Sequence, residues 1–172
     1  MSEQTYMNLK NAVNRPSFDA KNINRENPCF KKMVDSYQKW NSDNDIGERS
    51  TYEEDIIECL FHYNLDGFAL AQHLSEYTDI MPNSELVHIL EDVIFVKRAL
   101  KTEMLTRWAK ENFLTISDDV VGKKVNVNQN IRKYDNHYIT GIKPETYQVT
   151  VSDKIDKNGG YIVEFENVTF VE

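Results

Sequence analysis

The sequence predicts an α+β protein in which a bundle of three to four helices precedes a five-stranded antiparallel sheet. Apolar residues recur with the period of a helix, about 3.6 residues, through most of the first two thirds of the chain. From Val120 onward they occupy every second position, which is the period of a strand. We therefore divide the 172-residue chain into a polar arm at 1–26, a helical domain at 27–117 and a β domain at 118–172.

The first predicted helix follows the polar arm, which is rich in asparagine and interrupted by Pro16. Asn27 is a good N-cap, and Pro28 suits the first helical position because its missing N–H is not needed there. The apolar residues that follow share one helical face: Phe30, Met33, Val34, Tyr37 and Trp40. This stripe predicts a helix packed against a core.

Start signals predict the remaining helices. Ser50 and Glu53 form a capping-box pattern before "EEDIIECLFHY", and Asp66 is placed to cap "GFALAQHLSEY". Asn83 or Ser84 is placed to cap one long helix predicted over residues 85–111. The first half of that helix is apolar on most sides, which predicts a central, buried position.

The C-terminal third contains short alternating segments separated by turn formers. These segments are "VVGKKVNV", "HYITGIKPETYQVTVSD" and "GGYIVEFENVTF". Five short strands in about fifty residues predict a small barrel or a strongly curled sheet. Together the three segments resemble an SH3-like barrel of the Tudor or KOW kind, over residues 118–172 only. This resemblance implies binding of peptides, modified side chains or nucleic acid, or a purely structural role.

Composition and missing motifs narrow the functional classes. The N-terminus has no apolar signal region, no run is long enough to span a membrane, and two cysteines suit reduced thiols, so we expect a soluble cytoplasmic protein. A net charge of −8 argues against general attraction to nucleic acid or anionic lipid. No glycine-rich phosphate loop or Gly-x-Ser-x-Gly elbow is found, so we expect no enzyme activity and no cofactor.

The cysteines and histidines offer one weak catalytic pattern and no metal-binding pattern. The four histidines match no metal-binding spacing, so we expect no metal site: His62, His73, His88 and His137. Cys59 and His62 lie one helical turn apart, and a basic neighbour can lower a thiol pKa, so a Cys/His-dependent enzyme is an alternative. The acids Asp55 and Glu58 would raise that pKa, and apolar neighbours favour a buried thiol instead.

The most unusual stretch runs from Ser50 to Val96, which contains ten acidic residues and no lysine or arginine. Helix caps and dipoles explain several of the acids, but a solvated surface normally mixes both signs. One interpretation is that basic residues on neighbouring helices balance the acids within the molecule. The other is an acidic docking face for a basic protein, which we assign to four residues: Glu54, Glu58, Glu91 and Asp92.

The stretch "NQNIRKYDNHY", which we interpret as a loop of the β domain, combines cations with rings. Its candidate groove residues for a peptide or nucleic acid are Arg132, Lys133, Tyr134, His137 and Tyr138. Such side chains can stack on bases and contact phosphates. A solvated loop with one tyrosine packed at the edge of the barrel is the simpler interpretation.

Together these observations predict a non-enzymatic interaction or regulatory protein. Its partner is expected to be a protein, a basic one if the acidic face is used. The alternatives are a nucleic-acid-binding protein that uses the basic and aromatic stretch, and the Cys59/His62 enzyme. The asparagine-rich composition also suits an accessory protein of a phage or mobile element.

Overall fold

The computed structural model describes residues 14–46, 52–62, 66–129, 132–155 and 159–171, with only the backbone of Tyr77 and Arg132. Its α-helices are α1 (Pro28–Asp43), α2 (Tyr52–Phe61), α3 (Gly67–Tyr77), α4 (Ser84–Glu91) and α5 (Val93–Glu111). Its strands are β1 (Lys124–Gln129), β2 (Arg132–Lys143), β3 (Gln148–Ser152), β4 (Tyr161–Glu164) and β5 (Val168–Phe170). Helices followed by an antiparallel sheet confirm the predicted α+β class.

The chain divides into two compact units. Ser17–Met104 form the helical unit, and the described residues of Leu105–Glu172 form the sheet unit together with residues 14–16. The division therefore falls inside α5. The domain limits expected from the sequence, at 26/27 and 117/118, remain predictions.

The core of the helical unit is built on α1. As predicted, the Oδ1 of Asn27 caps this helix, accepting the backbone N–H of Cys29 at 2.9 Å. Phe30, Tyr37 and Trp40 are at most 1% exposed, so the predicted stripe faces the core. Complete burial of one such aromatic side chain contributes about 1.5–3 kcal/mol to the free energy of unfolding.

The predicted caps of α3 and α4 are also present. Asp66 Oδ1 accepts the N–H of Ala69, and Asn83 Oδ1 accepts that of Leu86, each at 2.9 Å. Each bond satisfies one of the donors that a helix start leaves unpaired. Ser50, the other half of the expected capping box at α2, lies outside the described residues.

The long helix expected over residues 85–111 is interrupted at Asp92, which separates α4 from α5. The N–H of Asp92 bonds to Ile89 O at 3.3 Å, a tightened turn, while Asp92 O accepts the N–H of Val96 at 3.1 Å and so restarts the helix. Side chains after the interruption differ sharply in burial. Val93 and Val96 are buried, whereas Ile94 and Phe95 are 59% and 62% exposed.

The sheet has the strand order β4-β3-β2-β1-β5, with antiparallel pairing throughout. Strand β2 is long and pairs with β1 through its first half and with β3 through its second half. Register shifts occur between Val125 and Val127 and between Ile139 and Gly141. Among the described residues β4 and β5 are not paired with each other, so the sheet is open.

The prediction of a loop at residues 128–138 is wrong. From Arg132 it belongs to β2, and Gln129 pairs directly with Arg132 at the end of a hairpin. Tyr134 and His137 face the apolar strand residues Val127 and Val125. Pairing with β1 overrides the polar composition of this stretch, because strand formation depends on cross-strand neighbours more than on local propensity.

Residue Arg15 anchors the start of the described chain to the sheet unit. Its Nε donates to Glu166 Oε1 at 2.6 Å, and its terminal nitrogens donate to the carbonyls of Thr146 and Tyr147, each at 2.8 Å. Its guanidinium carbon lies 5.3 Å from the ring centre of Trp108, which packs edge-to-face on Tyr147. The contacts satisfy a side chain that is only 16% exposed.

No helix within the described ranges combines the length and apolarity needed to cross a membrane.

Gly67 marks a close approach between the start of α3 and α4. A Cβ at this position would lie 2.3 Å from Val87 O and 2.9 Å from Glu91 N, both backbone atoms that cannot move aside. We expect Gly67→Ala to lower the free energy of unfolding by about 1–3 kcal/mol, through overpacking. Denaturant unfolding followed by circular dichroism measures this loss.

Gly141→Ala is the matched control, because a Cβ there meets only Thr150 side-chain atoms at 3.8 Å or more. This substitution should change the free energy of unfolding by less than about 0.5 kcal/mol. Equal losses in both variants would contradict the packing described at Gly67.

Candidate functional site

Two acidic residues at the start of α2 form ion pairs with Arg25. The guanidinium of Arg25 lies 2.7 Å from both Glu53 and Glu54. Hydrogen bonds to Glu54 and Glu53 raise the pKa of Arg25. These groups are about half exposed, so solvent screening keeps each pair within about 1 kcal/mol. Internal balancing therefore operates at Glu54, and it comes from a residue that precedes α1.

Glu91 and Asp92 lie at the junction of α4 and α5, beside two grooves. The larger groove, about 460 Å³, is lined by apolar side chains of α2, α3, α4 and α5 and by four polar residues: His62, Asp66, Glu91 and Lys97. The smaller, about 380 Å³, includes Asp92 and Phe95. His88 Nδ1 lies 3.2 Å from Glu91 Oε2.

Lys97 is held within the larger groove. It donates to the carbonyl of Leu60, at the end of α2, at 2.5 Å, and its nitrogen lies 5.9 Å from the ring centres of Phe18 and Phe61. Burial lowers the pKa of Lys97, and the nearby Lys101 lowers it further. Its ammonium thus stabilises a helix C-terminus. Lys97 and Glu91 line the same groove as its apolar side chains.

A polar cluster of Glu58, His62 and His73 joins α2 to α3. Glu58 Oε1 lies 2.8 Å from His62 Nε2 and 3.6 Å from His73 Nε2, and the two imidazole ring centres are 3.8 Å apart. The interaction with His62 holds the pKa of the Glu58 carboxyl below its usual value, with a smaller contribution from His73. One ligand atom from each residue lies within 4.8 Å of the other two.

The sheet unit carries an aromatic cluster of Tyr134, His137 and Tyr161. The rings of Tyr134 and Tyr161 stack at 4.7 Å with an angle of 17°, and His137 lies 5.2 Å from Tyr134. The stack bridges β2 and β4, which are separated by β3 in the sheet. Tyr161 is 50% exposed, so the cluster presents ring surface to solvent.

The other predicted groove residues lie on the same strand. Lys133 is exposed and pairs with Asn128, while Tyr138 pairs with Lys124 on one side and Ser152 on the other. The side chain of Arg132 lies outside the described part of the chain. The cluster thus gathers Tyr134 and His137 from the predicted set and adds Tyr161.

Cys59 has the properties of a structural thiol. It is fully buried, and this burial, with smaller contributions from the charges of Asp55 and Glu58, raises its pKa to about 12. A nucleophilic thiol needs the opposite shift, toward a thiolate at neutral pH. The geometry therefore lends no support to a Cys59/His62 nucleophile.

Sequence reasoning missed His73 and Tyr161 as site residues. Glu58 on α2 and His62, which directly follows the last residue of α2, are four residues apart, which is a visible same-face signal. His73 and Tyr161 come from different elements, so their partners are defined by tertiary packing.

Comparison of the chain with protein-family models, curated proteins and solved structures gives no match.

The two thiols should differ in reactivity. We expect a thiol-reactive probe at neutral pH to modify the exposed Cys29 rapidly in the folded protein and to leave Cys59 unmodified. Because the Cys59 pKa is higher in the folded than in the unfolded chain, this thiol contributes to the free energy of unfolding below its ordinary pKa of about 9. That contribution is lost as the pH rises toward about 12. Mass spectrometry of the labelled chain, with a denatured sample as the reference for two reactive thiols, measures the difference. Rapid labelling of Cys59 in the folded chain would contradict its structural role.

Proposed function

We propose that this chain is a non-enzymatic interaction protein of the cytoplasm, of regulatory or accessory type, which binds a basic amphipathic helix of a protein partner. The observation that carries the proposal is the larger groove at the α4–α5 junction. There the exposed Ile94 lies beside buried apolar side chains, and Glu91 supplies negative charge.

The chemistry of the groove favours this partner over others. An apolar groove accepts the apolar face of an amphipathic helix, whose anchor side chains recur every three or four residues. Carboxylates at the groove favour cationic side chains on the polar face of that helix and increase the association rate. Glu54 contributes less to such binding, because its carboxylate already forms an ion pair with Arg25.

Site-specific photocrosslinking tests the docking site. A photoreactive phenylalanine analogue at Ile94 should trap a defined protein from native lysate, whereas the same analogue at Met81, which is 85% exposed, should not. The trapped protein is then purified, and its affinity for the unmodified chain is measured by titration calorimetry. We expect Glu91→Lys and Ile94→Ser each to weaken binding at least about tenfold, equivalent to about 1.4 kcal/mol.

Two matched variants control for charge and exposed apolar surface elsewhere on the helical unit. Asp79→Lys reverses an exposed charge, and Met81→Ser removes an exposed apolar side chain. Neither should alter the affinity by more than about twofold, within the spread of ordinary surface substitutions. Identical crosslinked proteins at both positions, or an affinity unchanged by Glu91→Lys, would exclude this groove as the docking site.

The aromatic cluster of the sheet unit supports a second candidate function, binding of single-stranded nucleic acid. Stacked, partly exposed rings are what base stacking requires. The SH3-like barrel remains a proposal for this unit. Its support is the pairing of the three-residue β5 with β1, which brings the last strand against the first.

Fluorescence anisotropy with a short single-stranded oligonucleotide tests the second function. We expect Tyr161→Ala to weaken binding about tenfold or more, because base–aromatic stacking is worth about 1–3 kcal/mol per base. Phe68→Ala removes an aromatic side chain of similar exposure from the helical unit and should have no effect. Binding that is absent, or insensitive to Tyr161→Ala, would assign the cluster to stabilisation of the sheet.

A further inference from the structure

The Glu58–His62–His73 cluster has the composition of a metal site. Two imidazoles and one carboxylate form a ligand set that Zn²⁺ uses when three protein groups hold it and a fourth position stays open to solvent. Glu58 lies on α2, His62 directly follows its last residue, and His73 comes from α3, so an ion would crosslink the end of α2 to α3.

The spacing of the donor atoms matches the size of such an ion. Bonds of about 2.0–2.1 Å in tetrahedral geometry separate neighbouring donors by about 3.3–3.4 Å. The distances from Glu58 Oε1 to the Nε2 atoms of His62 and His73, 2.8 and 3.6 Å, lie on either side of this value. The three ligand atoms all lie within 4.8 Å of one another, so side-chain rotations that bring the two histidine nitrogens to this spacing would complete the geometry.

The burial of the three side chains suits an accessible but anchored ion. His73 is only 10% exposed, so packing fixes its imidazole, whereas Glu58 is 55% exposed and leaves the cluster open to water. His62 also lines the 460 Å³ groove, which gives a second approach. An exchangeable ion needs such an entry path.

Glu76 is the carboxylate near the second ring nitrogen of His73. Its Oε2 lies 3.9 Å from His73 Nδ1, so a shift of the exposed Glu76 side chain would bring it to hydrogen-bond distance, while Nε2 faces Glu58. A carboxylate near Nδ1 favours the tautomer with its proton there, which leaves the Nε2 lone pair for a metal. Carboxylate–histidine–metal arrangements of this kind raise the basicity of the ligand.

We propose that Glu58, His62 and His73 form a binding site for one Zn²⁺ ion, with solvent in the remaining coordination position and Glu76 as the positioning residue for His73. The expectation from sequence that the histidines form no metal site is set aside by this proposal, since the ligand set combines two helices. His62 also lines the docking groove, but the proposal is tested by metal binding, which requires neither Glu91 nor Ile94 and no protein partner.

Metal titration of the full chain, free of any affinity tag, tests the site. Co²⁺ is the spectroscopic probe, since a nitrogen- and oxygen-ligated ion of low coordination number absorbs visibly, and Zn²⁺ competition then gives the affinity. We expect one ion per chain. His62→Ala and Glu58→Gln should each weaken Zn²⁺ binding by at least about 100-fold, and Glu76→Gln by about tenfold, the lower end for an outer-shell partner.

His88→Ala is the matched control. His88 also faces a glutamate, Glu91, at 3.2 Å, but it is 87% exposed and belongs to no three-residue cluster among the described residues. Its removal should leave Zn²⁺ affinity unchanged. Should His73→Gln fail to fold, the variant of the more exposed His62 decides, and circular dichroism of the metal-free protein verifies its fold.

Two results would overturn the proposal. One is the absence of a visible Co²⁺ spectrum and of Zn²⁺ binding, which would leave the cluster as a hydrogen-bonded link between α2 and α3. The other is binding that His88→Ala reduces as much as His62→Ala does, which would indicate scattered surface coordination. A raised thermal midpoint with Zn²⁺, lost in His62→Ala and kept in His88→Ala, would support it by an independent readout.

Discussion

The side-chain amide of Asn83 joins the start of α4 to the buried face of α1. Its Oδ1 accepts both the indole N–H of Trp40 and the backbone N–H of Leu86, each at 2.9 Å. Trp40 is fully buried, so its indole N–H needs a partner inside the protein. The start of α4 is thereby fixed against α1, and the position of every later residue of α4, up to the interruption at Asp92, follows from that start.

The charges of the helical unit are distributed unevenly along the chain. The stretch from 50 to 96 has no lysine or arginine, so its carboxylates depend on residues from outside it or on its own histidines. Arg25 takes two of them, while His62 and His73 face Glu58. Histidine differs from arginine in that its ring can also bind a metal. In this segment histidines stand where arginine or lysine would otherwise face the acids. The same Nε2 atoms of His62 and His73 that face Glu58 can therefore also serve as metal ligands.

Elements with a local cause could be predicted from the sequence, and those that depend on tertiary packing could not. The caps at Asn27, Asp66 and Asn83 involve neighbours two or three residues away, which a local pattern contains. The start of β2 at Arg132 depends on β1, and the stack of Tyr134 on Tyr161 joins strands that are not adjacent. The polar composition around Arg132 predicted a loop because cross-strand pairing leaves no trace in so short a window.

The helical rotation of α2 places its core residues and its candidate metal ligands on different sides. Each residue turns the helix by about 100°, so a residue four positions on lies about 40° away, and one three positions on lies about 60° away in the other direction. Glu58 and His62 therefore lie on the solvent side together, while Cys59 turns toward the core and is fully buried. The spacing also allowed a pair of Cys59 with His62, given above as an alternative, but His62 contacts Glu58. Spacing alone allowed both pairs, and burial selects between them. The side of α2 that carries Ile56, Cys59 and Leu60 is buried in the core. The side that carries Glu58 therefore remains to contact His73 of α3.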